Sequence, residues 1–301
     1  MTINTTAIRS LLEPGLNAVF GDYPSYPAQW REIFDVYSSD KAVEKDIEMK
    51  FLGLAQLKAE GASTVYDTMG ERFTTSYVAR TASQGFIITR NAIKDNLYKS
   101  RFPMQAKGLR RSFEQLKETI CASVLNNGFD ATNYPIGDGV ALFSTAHPID
   151  GSTVANRPTA EADLNETSLE AALIAVQAFK DQAGLKVMVQ PRKLVVPPQL
   201  QFTTARLLRG DWQVDSANRN INAIKNMNMV PEGFVVNQFL TDVDAWFLLT
   251  NADNGFKFFQ REGFSTDMYT DFDNENLKVK GLERYSAGVS NFRAGYGTSG
   301  A

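Results

Sequence analysis

The chain has 301 residues, of which 43% are hydrophobic and 22% charged, and its formal net charge is −3. This length allows two lobes that share a core, and the composition shows none of the bias that indicates disorder. A slightly acidic chain lacks the basic field that concentrates nucleic acid, so tight nucleic-acid binding is excluded as its main activity.

The N-terminal region combines a short helix signal with an extended, aromatic segment. Apolar residues recur at helical spacing between Thr5 and Phe20, but Pro14 and Gly15 interrupt them. Aromatic residues and prolines then alternate up to Trp30, which favours extended chain. These features predict an arm that lies on another surface. The sequence has neither an apolar run of about 18 residues nor a signal-peptide pattern, so we expect a soluble protein that is not exported.

Strand signals replace helical ones after the arm. The clearest runs are residues 73–80 and 85–90, and Gly61, Gly70 and Gly85 punctuate this part of the chain. The first run carries many hydroxyl groups and alternates only weakly, as in a partly solvated hairpin. Because such a hairpin buries little of its own surface, we predict that it needs a neighbouring molecule for stability.

The clearest helix begins near Pro103 and ends at Asn126-Asn127-Gly128. About 23 residues at 1.5 Å each give a length of roughly 35 Å, enough to support a whole lobe. The predicted buried stripe consists of Leu109, Phe113, Leu116, Ile120, Val124 and Leu125. A group of basic residues predicts a solvated helix face, or else a contact with DNA or with a neighbour's carboxylates. This group consists of Lys107, Arg110, Arg111 and Lys117.

A helix, a strand and a second helix follow, in an order typical of a compact α/β lobe. Thr167 and Glu170 form a capping-box signal at the start of the first helix, and Gly184 ends it. Residues 193–198 read as a short buried strand ending on proline, which begins a helix that runs through Leu208. The buried stripe of the first helix is predicted to consist of Leu169, Ala172, Leu173, Val176 and Phe179.

The last third of the sequence is rich in strands. Four runs are predicted, at residues 234–236, 245–249, 256–259 and 277–280. Asn254-Gly255 supplies a hairpin-turn signal between two of them. The glycine-rich segment 295–300 has no lysine and no following helix, which excludes a phosphate-binding loop and predicts a flexible tail.

Residues that could carry chemistry are few. Cys121 and His147 are the sole cysteine and histidine, which excludes an intrachain disulfide, the usual zinc sets and most His-based catalysis, and predicts a buried cysteine. Ser144 precedes His147 by three residues without a Gly-x-Ser-x-Gly motif, so we expect a turn there. Residues 271–275 resemble a calcium loop but lack its glycine and last acidic ligand, which favours a solvated turn. We predict no catalytic residue, no metal site and no cofactor.

Three segments, taken in order, resemble the major capsid proteins of tailed bacteriophages. They are residues 143–148, the helix from Thr167 to Ala183, and residues 192–198. The order of the predicted elements is also similar, with an arm, a hairpin, a long helix, an α/β lobe and a strand-rich return. Among these proteins the chain looks most like the Mu-like major head subunit group. The resemblance implies an α+β chain with the Hong Kong 97 type fold.

In this fold the chain would have four parts. The resemblance implies an N-terminal arm at 1–45, an extended hairpin loop at 46–84, a peripheral domain from 85–145 and 250–301, and an axial domain at 146–249. The long helix would be the spine of the peripheral domain. The resemblance also implies a structural protein that is not an enzyme. Such subunits assemble into pentamers and hexamers of an icosahedral or prolate head shell around phage DNA.

Assembly requires contacts between copies, and residues without evident partners in their own chain are candidates for them. We expect contacts with a neighbour's spine or peripheral sheet from Phe73, Tyr77 and Arg80, and we also place Trp30 at a subunit interface. The absence of a long charged helical prefix favours a separate scaffolding protein, and a portal and non-specific proximity to packaged DNA are also expected. The protein is expected in the virion capsid, after assembly in the bacterial cytoplasm.

Two alternatives stay open at the level of sequence. One keeps the fold and changes the contents, as an encapsulin-type compartment that houses an enzyme. The other is a hydrolase in which Ser144 and His147 serve as nucleophile and base. Particle contents would distinguish the first alternative from a phage head, and active-site labelling of Ser144 would test the second.

Overall fold

The computed structural model describes residues 27–95, 98–212 and 220–301, so the helix predicted between Thr5 and Phe20 lies outside the described residues. The strands are β1 Asp35–Ser38, β2 Val43–Lys50, β3 Gly70–Val78, β4 Arg80–Ile88, β5 His147–Ile149, β6 Ser152–Val154, β7 Pro191–Val196, β8 Phe234–Val236, β9 Trp246–Thr250, β10 Phe256–Thr270, β11 Leu277–Val289 and β12 Gly295–Thr298. The α-helices are α1 Arg90–Lys94, α2 Tyr98–Asn126, α3 Glu166–Gln177, α4 Gln201–Arg209 and α5 Ala223–Asn226. Short 3₁₀ helices occupy Gln29–Glu32, Pro198–Leu200 and Phe292–Ala294. Within these ranges, no helix has the length and apolar character that a membrane crossing requires.

The first sheet has the strand order β1-β10-β11-β4 and contacts α2 through β11 and β4. β1 runs parallel to β10, and the other neighbours are antiparallel. β10 and β11 are longer than the predicted runs because they pair with each other across the solvated turn predicted at 271–275, which is confirmed. Asn254-Gly255 does not form the predicted hairpin turn. It connects β9 of the second sheet to β10, because the strands on its two sides pair with distant segments.

The second sheet has the order β12-β9-β7-β8. Leu194 and Val196 of β7 face a layer that includes α3, α4 and α5. Successive residues of a strand point to opposite faces, so Val195 joins a different core, together with Phe247 and Trp30. This second core also contains residues of α2 and of the first sheet. The two lobes are therefore joined by continuous apolar packing.

Helix α3 confirms the predicted buried stripe, since every member of that stripe is at most 3% exposed. Its start differs from the prediction. Asn165, and not Thr167, is the N-cap: its side chain accepts a hydrogen bond from the Ser168 amide at 2.8 Å, and the Ser168 hydroxyl accepts one from the Asn165 amide at 3.0 Å. Asn and Ser thus make the same reciprocal capping arrangement two residues earlier. The helix ends at Gln177, before Gly184. Strand β7 and helix α4 are confirmed.

The C-terminal segment is a buried strand and not the predicted flexible tail. β12 pairs with β9 in the second sheet, although the predicted boundaries place 250–301 in the peripheral domain. Its glycines allow the backbone to lie directly on Phe143, because a Cβ atom at Gly297 would be 2.8 Å from that ring. The Glu161 carboxylate also accepts a hydrogen bond from the Thr298 hydroxyl at 2.7 Å.

Helix α2 is the predicted spine, but its buried face is rotated relative to the predicted stripe. Leu109 and Leu125 are buried as expected, whereas Leu116 is 40% exposed and Val124 is half-buried. Cys121 is buried, as predicted. The buried face between the two ends of the helix contains charged residues, which hydropathy alone assigns to solvent.

Residues 27–38, at the end of the predicted N-terminal arm, pack against the two lobes. Trp30, Ile33 and Phe34 are buried in the core that the lobes share, and β1 is part of the first sheet. β2 and β3 then form the predicted hairpin, with antiparallel pairing. Ala79 separates β3 from β4, so this one run of chain first forms the hairpin and then joins the first sheet.

Candidate assembly surfaces

The distal part of the hairpin, residues 51–69, is an exposed apolar surface, which we call the hairpin tip. It contains no helix or strand. Leu57 is fully exposed, and Tyr66 is 90% exposed. Further exposed apolar side chains of the tip are Phe51, Leu52, Leu54, Val65 and Met69. A concentration of exposed apolar side chains of this kind is typical of interaction sites, because their exposure to water is unfavourable.

A groove of about 500 Å³ lies beside α2, on the side that the predicted stripe assigned to the core. Leu116, Ile120 and Val124 of α2 line one side of it. The base of the hairpin, the loop at 134–136 and the end of β11 at 285–289 line the rest. The half-exposed leucine, isoleucine and valine are therefore the wall of a surface groove, which we call the spine groove.

The four predicted contact residues fall into two groups. Phe73 is half-buried at the hairpin, with the Arg72 guanidinium 5.7 Å from its ring centre, and Arg80 is exposed. Tyr77 and Trp30 are 4% and 2% exposed. The premise that Tyr77 lacks partners in its own chain is wrong. A contact role for Phe73 and Arg80 stays a prediction.

Tyr77 packs the hairpin against β10 and the end of β11 in the first sheet. Its ring makes an edge contact with Phe259, at 4.9 Å between centroids, and lies over Gly288, where a Cβ atom would be 2.8 Å from the ring. Its hydroxyl is hydrogen-bonded to that of Ser290. Burial raises the pKa of Tyr77 well above its ordinary value, so the hydroxyl stays protonated.

Trp30 anchors the N-terminal 3₁₀ helix to α2. Its ring packs on Phe258 with centroids 4.3 Å apart. The Glu118 carboxylate of α2 accepts hydrogen bonds from the backbone amides of Gln29 and Trp30, at 2.7 and 3.0 Å. Burial nevertheless raises the pKa of Glu118 to about 7, because the hydrogen bonds from the two backbone amides offset only part of the effect of burial.

The raised pKa of Glu118 predicts a loss of stability as the pH rises. The folded chain holds this proton more tightly than the unfolded chain. The stabilising contribution is therefore complete at pH values below the ordinary pKa of 4.5, and it is lost as the pH rises through the folded-state pKa of about 7. We expect a contribution on the order of 2 kcal/mol to the fall in unfolding free energy between about pH 5 and pH 8.

Denaturant unfolding of unassembled subunits at a series of pH values measures this slope. Glu118→Gln removes the titrating group and should flatten it, while Glu170→Gln, at an exposed position on α3, should leave it unchanged. Part of the slope should persist in Glu118→Gln, because burial also raises the pKa of Glu283. An unaltered slope in Glu118→Gln would contradict the prediction.

The basic residues predicted to form one solvated face of α2 divide between solvent and core. Lys107 and Arg111 are exposed. Lys117 is 4% exposed, and its ammonium group lies 3.0 Å from Glu114 and 3.2 Å from Glu283 of β11. Buried charges need such partners, because desolvation is costly. The solvated-face prediction is therefore wrong for Lys117.

Arg110 completes this charged seam between α2 and the first sheet. Its guanidinium lies 2.6 Å from Glu114 and 4.5 Å from the ring centre of Phe264. Glu114, Lys117 and Glu118 follow each other at helical spacing on the face of Phe113, and this spacing was the available sequence signal. Hydropathy missed it because it scores each charge alone and not as a pair.

His147 is buried at the start of β5, where a turn was expected, and it is not available to Ser144. Its Nδ1 lies 2.6 Å from Asp138 Oδ2, and its Nε2 lies 3.0 Å from Asn156 Oδ1. The Ser144 hydroxyl instead accepts a hydrogen bond from the Ala146 amide at 3.2 Å. A nucleophile and its base must be within hydrogen-bond reach of each other, so this geometry does not support the hydrolase alternative.

Asn156 is the centre of this buried polar cluster. The side-chain amide nitrogen shares its two N–H donors among the carbonyl oxygens of Leu142, Phe292 and Gly295, at 2.7, 3.0 and 3.1 Å. Its oxygen accepts a hydrogen bond from the Ser144 backbone amide and lies 3.0 Å from Nε2 of His147, whose ring stacks on Phe292 at 3.9 Å. The cluster therefore ties the chain around residue 144 to the C-terminal segment.

Among the residues that the structure describes, no three or more His, Cys, Asp or Glu side chains come together in a cluster that could bind a metal ion. In the calcium-like turn, the Asp271 carboxylate accepts hydrogen bonds from Asn274 and from Lys278, at 3.1 and 2.5 Å. These contacts hold the Asp271 pKa below its usual value. The turn thus uses its acidic group for its own structure.

The sequence matches the family of phage capsid proteins over residues 71–297, which is more than half of the chain. No curated protein sequence matches it significantly.

Several solved structures have a similar fold. One is a virus-like particle from Pyrococcus furiosus, with a TM-score of 0.56 and 10% identity over 95% of this chain and 97% of that chain. Another is the capsid of an empty GTA particle, with a TM-score of 0.55 and 12% identity over 89% of this chain and 88% of that chain. A third is the procapsid of bacteriophage JBD30, with a TM-score of 0.53 and 13% identity over 98% of this chain and 76% of that chain. These similarities confirm the Hong Kong 97 type fold.

Proposed function

Since this chain belongs to the phage capsid protein family, we propose that it is the major head subunit of a tailed phage and tiles the head as pentamers and hexamers. It is a shell-forming structural protein, as the sequence predicted. In this proposal the lobe of the second sheet is axial and faces the centre of each ring, and the lobe of the first sheet is peripheral. The observation that carries the proposal is the pair of unfilled surfaces, the hairpin tip and the spine groove.

The two surfaces complement each other in chemistry and differ in position. β2 has eight residues and β3 nine, so the tip extends roughly 26 Å beyond the hairpin base at about 3.3 Å per residue. The groove lies at that base, since Tyr77 and Val78 help to line it. A tip therefore fits the groove of another copy better than its own. A contact between two different surfaces is heterologous and builds rings when the rotation closes.

Weak contacts of this kind are sufficient for a shell because each subunit makes several at once. Effective concentration converts the later contacts of a subunit into nearly intramolecular events. Phe73 and Arg80 lie on the hairpin and at its junction with β4 and would add to the contact. The capsid is thus made of this protein's own copies. We further propose a separate scaffolding protein, a portal, and packaged DNA held by proximity alone.

Assembly in the bacterial cytoplasm is part of the same proposal, and membership of the Mu-like head subunit group stays a prediction. An acidic chain with net charge −3 supports loose rather than tight association with DNA. The encapsulin-type alternative would use the same fold with a protein cargo.

Electron microscopy of the purified protein tests the proposal directly. We expect closed shells, or the rings and tubes that result when a scaffold is missing. Particles isolated from phage-producing cells should contain nuclease-protected DNA, and mass spectrometry should find no abundant enzyme inside them. A protein that stays monomeric at high concentration, with or without a co-expressed scaffold, would contradict shell formation. Particles filled with one enzyme would favour the compartment alternative.

A further inference from the structure

Strand β2 carries a row of charged side chains on one of its faces. Asp46, Glu48 and Lys50 are two residues apart, and successive side chains of a strand alternate between faces. The three therefore point to the same side, and each contacts a different part of the body. We call this row, with its partners, the hairpin clamp.

Asp46 connects the hairpin to the first sheet. Its carboxylate lies 2.6 Å from the Lys257 ammonium of β10 and accepts a hydrogen bond from the Ser290 hydroxyl at 2.5 Å. The Lys257 side chain is only 8% exposed, and its ammonium is also 2.8 Å from Asn254 Oδ1. Ser290 in turn is hydrogen-bonded to Tyr77 of β3, so both strands of the hairpin converge on this point.

Glu48 connects the hairpin to segments that flank both sheets. Its carboxylate lies 2.6 Å from the Arg293 guanidinium and accepts a hydrogen bond from the Gln182 side-chain Nε2 at 3.0 Å. The Arg293 side chain is 4% exposed and also donates a hydrogen bond to the Lys180 carbonyl. Lys50 adds an ion pair with Asp150, at 2.5 Å, which is more exposed to solvent and so contributes less.

Displacement of the hairpin base would separate these pairs. Lys257 and Arg293, which are almost fully buried in this structure, would then lose their carboxylate partners on the hairpin, and the loss of a buried ion pair is destabilising. The hairpin tip has no such attachment. Its amide hydrogen bonds in the described structure stay within residues 51–69, from Gly53 and Thr68 to Asp67 and from Ala62 to Ala59.

We propose that the hairpin clamp fixes the base of the hairpin to both lobes, so that the tip alone adapts its conformation to different neighbours. The bending point then lies at Lys50 and Gly70, where the strands end, and not at the junction with the body. Rings of five and six subunits present a tip with neighbours at different angles. The proposed adaptation of the tip to neighbouring subunits rests on the proposed function, whereas the proposed rigidity of the hairpin base does not.

Hydrogen–deuterium exchange on the unassembled, full-length subunit tests the base. The double variant Asp46→Asn, Glu48→Gln removes both carboxylates and should raise amide exchange in β2 and β3 at least tenfold. Glu71→Gln changes an exposed carboxyl of the same hairpin and should leave exchange within twofold of the native chain. Amides of β7, in the core, report whether the fold persists. Should the double variant fail to fold, the single variants carry the same test.

Exchange in assembled particles tests the tip. On assembly, protection of residues 51–69 should increase at least tenfold, while protection of β2, which does not line the spine groove, stays nearly constant. Two results would overturn the clamp: unchanged exchange of β2 and β3 in the double variant, or a change in β2 on assembly as large as that at the tip. A native chain that never assembles would contradict the proposed function, and the measurement on the subunit would still decide the rigidity of the base.

Discussion

Asn156→Ala should lower the free energy of unfolding by about 4 kcal/mol. The side chain is fully buried, its amide nitrogen shares two N–H donors among three carbonyl oxygens, and its oxygen contacts the Ser144 amide and His147 Nε2. Alanine would remove the partner that Asn156 supplies to the Ser144 amide, to the Leu142 carbonyl and to His147. Each such buried group costs about 1–3 kcal/mol, and water entering the cavity offsets part of the sum.

Urea unfolding of unassembled subunits, followed by tryptophan fluorescence, gives this value. Asn274→Ala is a suitable control, because Asn274 is exposed in the turn between β10 and β11 and its replacement should cost less than about 1 kcal/mol. The Asn156 prediction would fail if its variant lost as little as the control. Limited proteolysis offers a second readout, since release of the C-terminal segment from Phe292 onwards should expose it to cleavage.

The polar cluster also explains how a lone histidine can be structural. His147 stacks on Phe292 and lies between Asp138 and Asn156, so both of its nitrogens are occupied. The sequence places Asp138, Ser144, His147 and Asn156 within one short stretch of chain, but it does not show which of them meet. Asn156 carries no catalytic motif and was missed for that reason.

Elements with local signals were predictable from the sequence. The stripe of α3, with Leu169 and Val176, is a helical pattern that needs no distant contact to recognise, and β7 is a β-branched run bounded by proline. Strand pairing was less predictable. Asn254-Gly255 has the composition of a hairpin turn, but its two strands belong to different sheets, and a local signal cannot report that choice.

The spine helix shows why the candidate surfaces were only partly predictable. Leu116, Ile120 and Val124 have the hydropathy of core residues, and they line a groove that an isolated chain leaves open. Hydropathy cannot distinguish a side chain buried in its own chain from one that another copy would bury. Conversely, the sequence did not reveal that Trp30 and Tyr77 are buried within the subunit, because their partners Phe258 and Phe259 are distant in sequence.

The double substitution Leu54→Asp, Leu57→Asp in the hairpin tip should abolish shells while leaving the subunit folded. Both leucines are exposed, at 78% and 105%, so their replacement removes no intrachain packing, and the melting temperature should change by less than about 2 °C. In a neighbour's groove the same positions would place two carboxylates against Leu116 and Ile120. The change costs about 2 kcal/mol of apolar burial per leucine, with the desolvation of each charge in addition.

Repetition across the shell multiplies this loss, because every subunit carries the same altered tip. We therefore expect the fraction of sedimenting particles to fall at least a hundredfold, as counted by gradient centrifugation and electron microscopy. Gln56→Asp introduces a like charge into the same segment without removing an apolar group, and it should assemble nearly as the native chain does. Replacement of residues 52–67 by a short turn, which removes the tip without adding charge, should cause the same loss of particles. Normal particles from the leucine variant would exclude the tip as an assembly contact, and equal loss in Gln56→Asp would assign the effect to charge rather than to apolar contact.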